Sequence, residues 1–454
     1  MRTSIIIKLT LPICLYFAFG FNLCQSKSYS DQSLKRTANL GFSTKIEQNK
    51  LIVSKVVENS AASHAGLLKG DNIRSFGLRP LANSLLVAQS QLNKWQAGKT
   101  LSIKLQRKEN IIDLSYTPPA KELENIEGVN SYYSSVTTSQ GHQLRTIVSV
   151  PDDGKTKKRP ALFFVQWVSC GSIEYNPKSP SRKILADLLK LTNRALIRVE
   201  RSSDGDSIGP ACHELDYDTE LDHYYQALLK LANHPQVDPA QIVIYGSSLG
   251  STLAPLLAEK LLADGIQVQG IMIQGGGGLT HTERMLAFER IYLERRPEVD
   301  PETIHQQMND RIQFQVEYLI KSRHPDAIAK DSDAMRKVRN NILGMDQFTH
   351  YGRPYAWHQQ AAKQNVLKAW HKISRPVLVV FNQFDQFETR HGHQIIAHMV
   401  NRWRPNTAKY VEQSKVGHGN YRYENIEQAY KFENGNNVTQ ELVKILADWT
   451  NSIQ

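Results

Sequence analysis

Apolar, strand-like runs alternate with helix-like segments over most of the chain after residue 130. Several of these runs are apolar at almost every position, as strands are when both faces of their sheet are covered. Strands and helices that alternate in this way predict an α/β fold, with a mostly parallel sheet between layers of helices. The predicted strands cover residues 132–138, 144–150, 160–167, 195–200, 241–245, 268–274, 376–382 and 408–413, with helices near 184–191 and 218–231, after residue 248 and at 440–449.

The length and the charge of the chain limit the classes of protein to consider. At 454 residues, of which 41% are hydrophobic, the chain is too long for one ordinary domain and predicts two. Its formal net charge of +11 is spread along the sequence and interleaved with acids, as in residues 283–298. Nucleic-acid binding requires a dense basic stripe or a recognisable module, so no nucleic-acid partner is predicted.

The first residues have the features of a targeting signal. Arg2 gives a basic start, residues 9–21 are mostly apolar, and polar residues follow from Asn22. We predict a signal peptide over residues 1–26, an exported protein that is periplasmic or secreted, and no transmembrane helix in the mature chain, since the apolar run is shorter than a membrane span. A lipid anchor at Cys24 is a weaker alternative, because the residues before it lack the expected small side chain.

Residues 38–118 contain short alternating strands between turn residues, which predicts a small, mainly β domain. One run resembles the PDZ family, and Leu40, Gly41 and Phe42 resemble the loop with which that family binds a peptide carboxylate. The resemblance implies that a protein C-terminal tail binds there and adds a strand to the sheet edge. The alternative is a domain that only docks onto the rest of the chain. The run is formed by Ala65, Gly66, Leu67, Gly70 and Asp71.

The remaining chain divides at two changes of composition. Residues 119–130 are polar and predict a linker, so that 131–454 forms the second domain. Within it, the strand rhythm stops over residues 279–372, which predicts a helical cap inserted before a later strand. An aromatic cluster at 348–357 either lines the substrate pocket or packs inside the cap, and both interpretations stay open.

The sequence Gly-Ser-Ser-Leu-Gly at residues 246–250 fits the pattern G-x-S-x-G between a predicted strand and a predicted helix. Alone the pattern is weak, but an acid, Asp385, and a histidine, His418, follow later strands in the order that a hydrolase requires. From about Tyr132 to its end the chain therefore resembles the α/β-hydrolase superfamily. The resemblance implies that Ser248 is the nucleophile, that His418 is the general base and that Asp385 orients the imidazole.

Other residues compete for these roles. Ser247 occupies a variable position of the motif, and Glu388 is a backup acid. His391 and His393 lie close to Asp385 in sequence, but they follow it at the predicted start of a helix. We therefore expect them at the surface or in packing.

The resemblance also implies two backbone N–H donors that bind the oxyanion, from Leu249 and from either Trp167 or Val168. No cofactor and no metal are predicted. The loop at residues 204–209 lacks the ligands of a calcium site. The glycines at residues 275–278 lack the Lys-Ser/Thr of a phosphate loop and predict a hinge.

Cys170 and Cys212 are the cysteines beyond the signal region. By the resemblance, the strands that precede them are neighbours, so both cysteines lie past the same sheet edge. A disulfide between them is predicted, because it persists in an oxidising compartment and stabilises the fold by roughly 4 kcal/mol in the chain-entropy model. The alternative is two buried thiols.

These features predict an exported serine hydrolase that cleaves an ester, thioester or amide bond of an acyl or peptide substrate. Within this class, a peptidase similar to prolyl oligopeptidase is an alternative, since a peptide-binding domain suits peptide substrates. A non-catalytic scaffold is the alternative from another class.

Overall fold

The computed structural model describes residues 33–77, 79–81 and 85–453. The predicted signal peptide at 1–26, with Cys24, lies outside the described residues. Within the described part of the chain, none of the helices combines the length and the apolar character that a membrane span needs.

The amino-terminal domain is a six-stranded antiparallel sheet with two short helices. Its strands alternate buried and exposed side chains, as β5 does with Leu101, Ile103 and Leu105 inside, and these residues form a separate core. The strand order is β1-β2-β3-β5-β6, with β4 on β3, so β1 is a terminal strand. The elements are β1 (Phe42–Glu47), β2 (Lys50–Val56), α1 (Ala61–His64), β3 (Asn72–Phe76), β4 (Arg79–Pro80), α2 (Leu85–Asn93), β5 (Leu101–Arg107) and β6 (Asn110–Tyr116).

The carboxy-terminal domain is built on an eight-stranded sheet in the order β16-β15-β12-β11-β9-β10-β8-β7. Strand β8 runs antiparallel to both of its neighbours, and the other neighbouring pairs are parallel. This is the α/β-hydrolase fold. The strands are β7 (Val129–Thr137), β8 (Gln143–Pro151), β9 (Arg159–Val165), β10 (Ala195–Val199), β11 (Val237–Ser247), β12 (Gly270–Gln274), β13 (Thr349–His350), β14 (Arg353–Pro354), β15 (Val377–Asn382), β16 (Ala408–Gln413), β17 (Tyr421–Arg422) and β18 (Asn436–Asn437).

Helices cover both faces of this sheet. One face carries α3 and α14, and the other carries α4, α5, α11 and α12, so each face has its own buried cluster. Helix α3 begins earlier than predicted, because Pro180 at its first position has its φ preset for a helix. The helices are α3 (Pro180–Thr192), α4 (Tyr217–Leu231), α5 (Gly250–Ala263), α6 (His281–Glu294), α7 (Pro301–Gln315) with a π-turn (Val316–Ile320), α8 (Pro325–Ile328), α9 (Asp333–Asn341), α10 (Tyr355–Lys363), α11 (Val366–Lys372), α12 (Arg390–Trp403), α13 (Ile426–Lys431) and α14 (Thr439–Ser452).

The segment between β12 and β15, which was predicted as a cap, divides into two parts. Helices α6 to α9 enclose a core of their own around Phe314 and Tyr318. Trp357 of α10 and Trp370 of α11 belong instead to the core of the main sheet. The aromatic cluster therefore packs at Trp357, whereas Phe348 remains 62% exposed.

Three buried histidines lie where this segment meets the main core. His281 Nε2 is 3.0 Å from His358 Nδ1, and the rings of His350 and His358 stack with centroids 4.4 Å apart. Burial lowers the pKa of all three imidazoles, that of His350 to about 4. These rings are neutral at neutral pH.

Asp206 joins the two domains. Its carboxylate accepts hydrogen bonds from Arg36 Nη1 at 2.7 Å and the Thr37 N–H at 2.8 Å. These two residues directly precede the amino-terminal domain and bond to it, Thr37 by a β-bridge to Gln96 and Arg36 by accepting from the Ala97 N–H. The same carboxylate accepts from Arg145 Nη1 at 2.6 Å on β8. In the predicted linker, Glu124 pairs with the buried Arg198 of β10 at 2.8 Å, so this segment is bound to the second domain.

Candidate active site

Ser248 lies in the tight turn between β11 and α5 and has a left-handed backbone, with φ of 51°. A left-handed backbone is uncommon for residues other than glycine, and where it occurs it is often at a functional site. Gly246 and Gly250 permit the turn by close approach. A Cβ at Gly246 would lie 2.5 Å from the Gly250 oxygen, and a Cβ at Gly250 would lie 2.1 Å from the Val165 oxygen. The motif glycines are thus required by packing of backbone on backbone.

The structure brings Ser248, His418 and Asp385 into one hydrogen-bonded chain. The distance from Ser248 Oγ to His418 Nε2 is 3.2 Å, and that from His418 Nδ1 to Asp385 Oδ2 is 2.7 Å. Asp385 Oδ1 accepts from the N–H groups of Phe387 and Glu388, each at 2.9 Å. The carboxylate is therefore fixed by its own loop and holds the imidazole with Nε2 toward the hydroxyl.

Burial and pairing act in opposite directions on these two charges. Burial alone would lower the pKa of His418, but the charge of Asp385 and its hydrogen bond outweigh burial and raise that pKa above the ordinary value. Burial alone would raise the pKa of Asp385, but pairing with His418 and the backbone donors lowers it. The arrangement thus combines a permanent carboxylate with an imidazole that takes up a proton readily.

The competing residues have other partners. Ser247 Oγ donates to Gln274 Oε1 at 3.4 Å. Glu388 accepts from Arg284 Nε at 2.5 Å and from the Gly277 N–H at 3.1 Å. His391 is exposed, and the buried His393 has Nδ1 2.9 Å from the Thr389 oxygen.

Residues 166–169, which we call the oxyanion segment, leave the end of β9 beside Ser248. Trp167 and Val168, two of the predicted donors, line the same cavity as Ser248, and Leu249 directly follows the serine at the start of α5. The side chain of the buried Arg201 donates hydrogen bonds to carbonyl oxygens of this segment and so holds it in place. It donates to the oxygens of Trp167, of Ser169 at 2.9 Å and of Gln166 at 3.3 Å.

Arg201 is held in turn by buried charges. Glu220 pairs with both Arg201 and Arg353 and accepts from Trp357 Nε1 at 2.9 Å. Arg353 also donates to the Cys212 oxygen at 3.0 Å. This network was not predicted, because its members come from sequence positions that only the folded sheet and the inserted segment bring together.

The cavity at Ser248, which we call the site cavity, has a volume of about 270 Å³. Its walls are apolar or polar, and its titratable lining residues are His418 and Tyr245. An uncharged, apolar group of moderate size therefore fits it best. The lining residues are Phe164, Trp167, Val168, Ser169, Ser181, Ile184, Leu185, Tyr245, Ser247, Ser248, Gln274, His418, Gly419 and Asn420.

Gly275 and Gly276, two of the four glycines that predict a hinge, pack against the site. A Cβ at Gly276 would lie 2.3 Å from the Ser248 oxygen, and one at Gly275 would lie 3.2 Å from His418 Cε1. A side chain at either position would therefore meet the serine turn or the histidine ring, and the hinge stays a prediction. Over the described ranges, no group of three or more His, Cys, Asp or Glu residues could hold a metal ion.

The predicted peptide loop and Cys170 lie at a second cavity of about 1160 Å³ between the domains, which we call the interdomain cavity. Leu40 and Phe42 line it, and Gly41 between them has φ of 74°. Cys170 lines it from the other domain and forms a disulfide with Cys212.

Comparison with known proteins agrees with this architecture. Residues 38–117 match the PDZ domain family, so this part of the chain is a PDZ domain. No curated protein matches this chain in sequence. The protein therefore consists of a PDZ domain followed by a domain with the α/β-hydrolase fold. The assignment of the second domain rests on the strand order described above.

Solved structures similar to this chain include several esterases. Carboxyl esterase 2 from the mycorrhizal fungus Tuber melanosporum is 12% identical over 73% of this chain and 90% of that chain, with a TM-score of 0.45. A thermophilic carboxylesterase cloned from a metagenomic library is 17% identical over 73% and 92%, with a TM-score of 0.43. An esterase from Pyrobaculum calidifontis is 18% identical over 72% and 87%, with a TM-score of 0.40.

Proposed function

We propose that this protein is a serine hydrolase that cleaves a carboxylic ester, thioester or amide bond through an acyl-enzyme on Ser248. The observation that carries the proposal is the chain of contacts from Ser248 Oγ through His418 to Asp385, at 3.2 and 2.7 Å. These distances fit proton transfer from the hydroxyl to the imidazole.

In the proposed reaction, Ser248 Oγ attacks the carbonyl carbon of the substrate while His418 Nε2 takes the hydroxyl proton. The imidazolium, stabilised by Asp385, then gives this proton to the leaving alcohol, thiol or amine as its bond to carbon breaks. Water repeats the sequence on the acyl-enzyme and releases the acid. The N–H groups of Leu249 and of Trp167 or Val168 bind the negative oxygen of each tetrahedral intermediate.

The walls of the site cavity favour an uncharged apolar substrate group. We therefore expect short aryl and acyl esters to be better substrates than peptides with charged side chains at the cleaved bond. The peptidase and the scaffold remain as outcomes of the test below.

We further propose that the protein is exported to the periplasm or the medium. The disulfide between Cys170 and Cys212 supports this, because such bonds persist in oxidising compartments. Fractionation of producing cells, with mapping of free thiols by mass spectrometry, tests it; a cytoplasmic protein in which Cys170 and Cys212 are free thiols would contradict it.

Labelling with a fluorophosphonate tests the reaction. We expect the probe to modify Ser248 in the unaltered chain and to leave the Ser248→Ala variant unlabelled. A panel of p-nitrophenyl esters and peptide p-nitroanilides then separates esterase from peptidase. A folded protein that neither reacts with the probe nor turns over any of these substrates would be the scaffold.

A further inference from the structure

Glu388 connects the acid of the proposed triad with the backbone that packs on the serine turn. Its N–H donates to Asp385 Oδ1 at 2.9 Å, and its side-chain Oε2 accepts from the Gly277 N–H at 3.1 Å. The two glycines before Gly277 pack on the Ser248 oxygen and on the His418 ring. Glu388 therefore belongs to the loop that fixes the triad carboxylate, and its side chain binds the glycine run that borders the serine and the imidazole.

The inserted segment between β12 and β15 supplies the partner of this side chain. Arg284 of α6, the first helix of that segment, donates from Nε to Glu388 Oε1 at 2.5 Å, and both side chains are 3% exposed. The other carboxylate oxygen, Oε2, accepts from the Gly277 N–H. Because each oxygen has its own donor, the position of the Glu388 carboxylate is determined jointly by α6 and by the glycine run.

The pair also acts on the charge of the triad histidine. Phe387, next to Glu388 in sequence, packs edge to face on His418, with ring centroids 5.2 Å apart. Burial lowers the pKa of His418, and the charge and hydrogen bond of Asp385 raise it. The charge of Glu388 raises this pKa further, against the smaller opposing effect of Arg284.

The other titratable groups near this place carry no charge at neutral pH. The buried His393 lies against the same glycine run, and burial lowers its pKa, so its ring is neutral. Tyr245 of the site cavity has its pKa raised by burial and is neutral as well. Besides the triad acid, the charged groups that act on His418 are therefore Glu388 and Arg284.

We propose that Glu388 is a positioning residue of the triad, and that α6 of the inserted segment sets its position through Arg284. The Glu388 side chain holds the glycine run at the distance from the Asp385 loop at which Ser248 and His418 meet. The inserted segment thus contributes to the geometry of the triad although it supplies none of the three residues. This inference rests on the proposed function, because turnover of an ester is its readout.

Glu388→Gln tests the positioning role. An amide has one acceptor oxygen where the carboxylate has two, so the variant can accept from Arg284 or from the Gly277 N–H but not from both. On p-nitrophenyl acetate we expect kcat to fall about tenfold with little change in KM, because displaced catalytic groups slow the reaction of bound substrate. The loss of a negative charge also disfavours the imidazolium of His418, so the acid limb of kcat/KM should move to lower pH.

Glu289→Gln is the matched control. Glu289 is a buried carboxylate of α6 that also accepts from an arginine, Arg311 Nε at 2.8 Å, and from a backbone N–H, that of Leu343 at 3.0 Å. This variant should lose a similar amount of melting temperature and keep the kcat and the acid limb of the unaltered chain. If Glu388→Gln changed kcat and the acid limb no more than Glu289→Gln does, the positioning role would be excluded.

The double variant Arg284→Gln, Glu388→Gln tests the connection through α6. Glutamine carries its amide oxygen on Cδ, where arginine carries Nε, so position 284 can then accept from the amide at position 388. The oxygen at position 388 becomes free to accept from the Gly277 N–H. We expect most of kcat to return, while the acid limb stays at lower pH because Glu388 outweighs Arg284. If the kcat losses of the two single variants multiplied instead, the residues would act separately and the proposal would be wrong.

Instability and failure of the proposed function are distinguishable from failure of this inference. Glu388→Gln leaves a buried arginine without its anion, which is destabilising, whereas replacement of both charges is often tolerated. If the single variant did not fold, an unchanged acid limb in the double variant would overturn the proposal. Absence of fluorophosphonate labelling at Ser248 and of turnover in the unaltered chain would refute the proposed function and this inference together. A labelled, active chain whose Glu388 variants match the control would refute the inference alone.

Discussion

The two cavities of this molecule differ in what forms their walls. The site cavity of about 270 Å³ is built around backbone that is packed on backbone, at Gly246, Gly250 and Gly276. The interdomain cavity of about 1160 Å³ is bordered largely by side chains, among them Gln89 and Phe348. Chemistry needs atoms held within a fraction of an ångström, whereas recognition of a chain end tolerates adjustment. The following predictions test this contrast.

Removal of the proposed nucleophile is expected to have the largest effect. Ser248→Ala should lower kcat on the order of 10⁶-fold, as other triad serines do. Ser247→Ala should retain most of the turnover, because its hydroxyl contacts Gln274 and not the imidazole. Steady-state rates on one aryl ester, together with fluorophosphonate labelling, measure both variants. If Ser247→Ala were inactive and Ser248→Ala active, the nucleophile would be Ser247 and the prediction would be wrong.

Arg201 is expected to act as a positioning residue for the oxyanion segment. Arg201→Lys keeps the charge beside Glu220 but loses the rigid guanidinium fork that spans the carbonyl oxygens of residues 166, 167 and 169. We therefore expect kcat to fall about 10²-fold with a smaller change in KM. Arg198→Lys is the matched control, because this buried arginine pairs with Glu124 instead. If both variants lost similar amounts of kcat and of melting temperature, Arg201 would have only a structural role.

The activity is expected to decrease in mild acid. His418 must be neutral to accept the serine proton, and its pKa is raised by Asp385, so kcat/KM should be half-maximal above about pH 6.5 and fall about tenfold per unit below that point. The buried His281, His350 and His358 have lowered pKa values and stay neutral in this range. An acid limb centred near pH 4 to 5 would contradict the pairing of His418 with Asp385.

His281, His350 and His358 are expected to make the folded state less stable in acid, at a lower pH than the loss of activity. Their pKa values are lower in the folded state than in the unfolded chain, so their contribution to the free energy of unfolding is fully present above about pH 6.5. This contribution is lost as the pH falls toward about 4, where His350 takes up a proton in the folded state. The melting temperature should therefore decrease between pH 6.5 and 4.5. His350→Gln, which cannot titrate, should flatten this slope, and an unchanged slope would exclude His350 as its origin.

The smallest expected effect is at the PDZ groove. Gln89 Nε2 donates to the Thr44 oxygen of β1, so Gln89→Ala frees this oxygen for an added strand. A peptide with a free carboxyl end that binds the unaltered chain should therefore bind this variant several-fold more tightly. Gln91→Ala, two residues away and exposed on the same helix, is the control. Fluorescence anisotropy measures both affinities, and weaker binding by Gln89→Ala would mean that this side chain contacts the peptide.

The local parts of this architecture could be predicted because sequence neighbours determine them. Apolar runs predicted the strands, and the motif around Ser248 predicted a strand-to-helix turn that the structure contains. The order of Asp385 and His418 after later strands indicated that they would lie at one sheet edge. The catalytic use of these residues stays a prediction.

The non-local parts could not be predicted because nothing near them in sequence signals their partners. Arg201 follows β10 as an ordinary arginine would, yet its partners are carbonyl oxygens at residues 166–169 and the distant Glu220. The glycines at 275–278 predicted a hinge because glycine suits both flexibility and close packing. The close packing of Gly275 on His418 and of Gly276 on Ser248 could not be predicted from the sequence.

The contacts of Asp206 also impose an order of assembly on the chain. Arg36 and Asp206 are 170 residues apart, so a ribosome that adds about 5 to 20 residues per second separates their appearance by about 10 to 30 s. The amino-terminal domain is complete in sequence well before its partner surface exists, and its own buried core must hold it folded during that interval. Docking is therefore a late, long-range event, and a chain interrupted before residue 206 would lack the carboxylate that accepts from both Arg36 Nη1 and the Thr37 N–H.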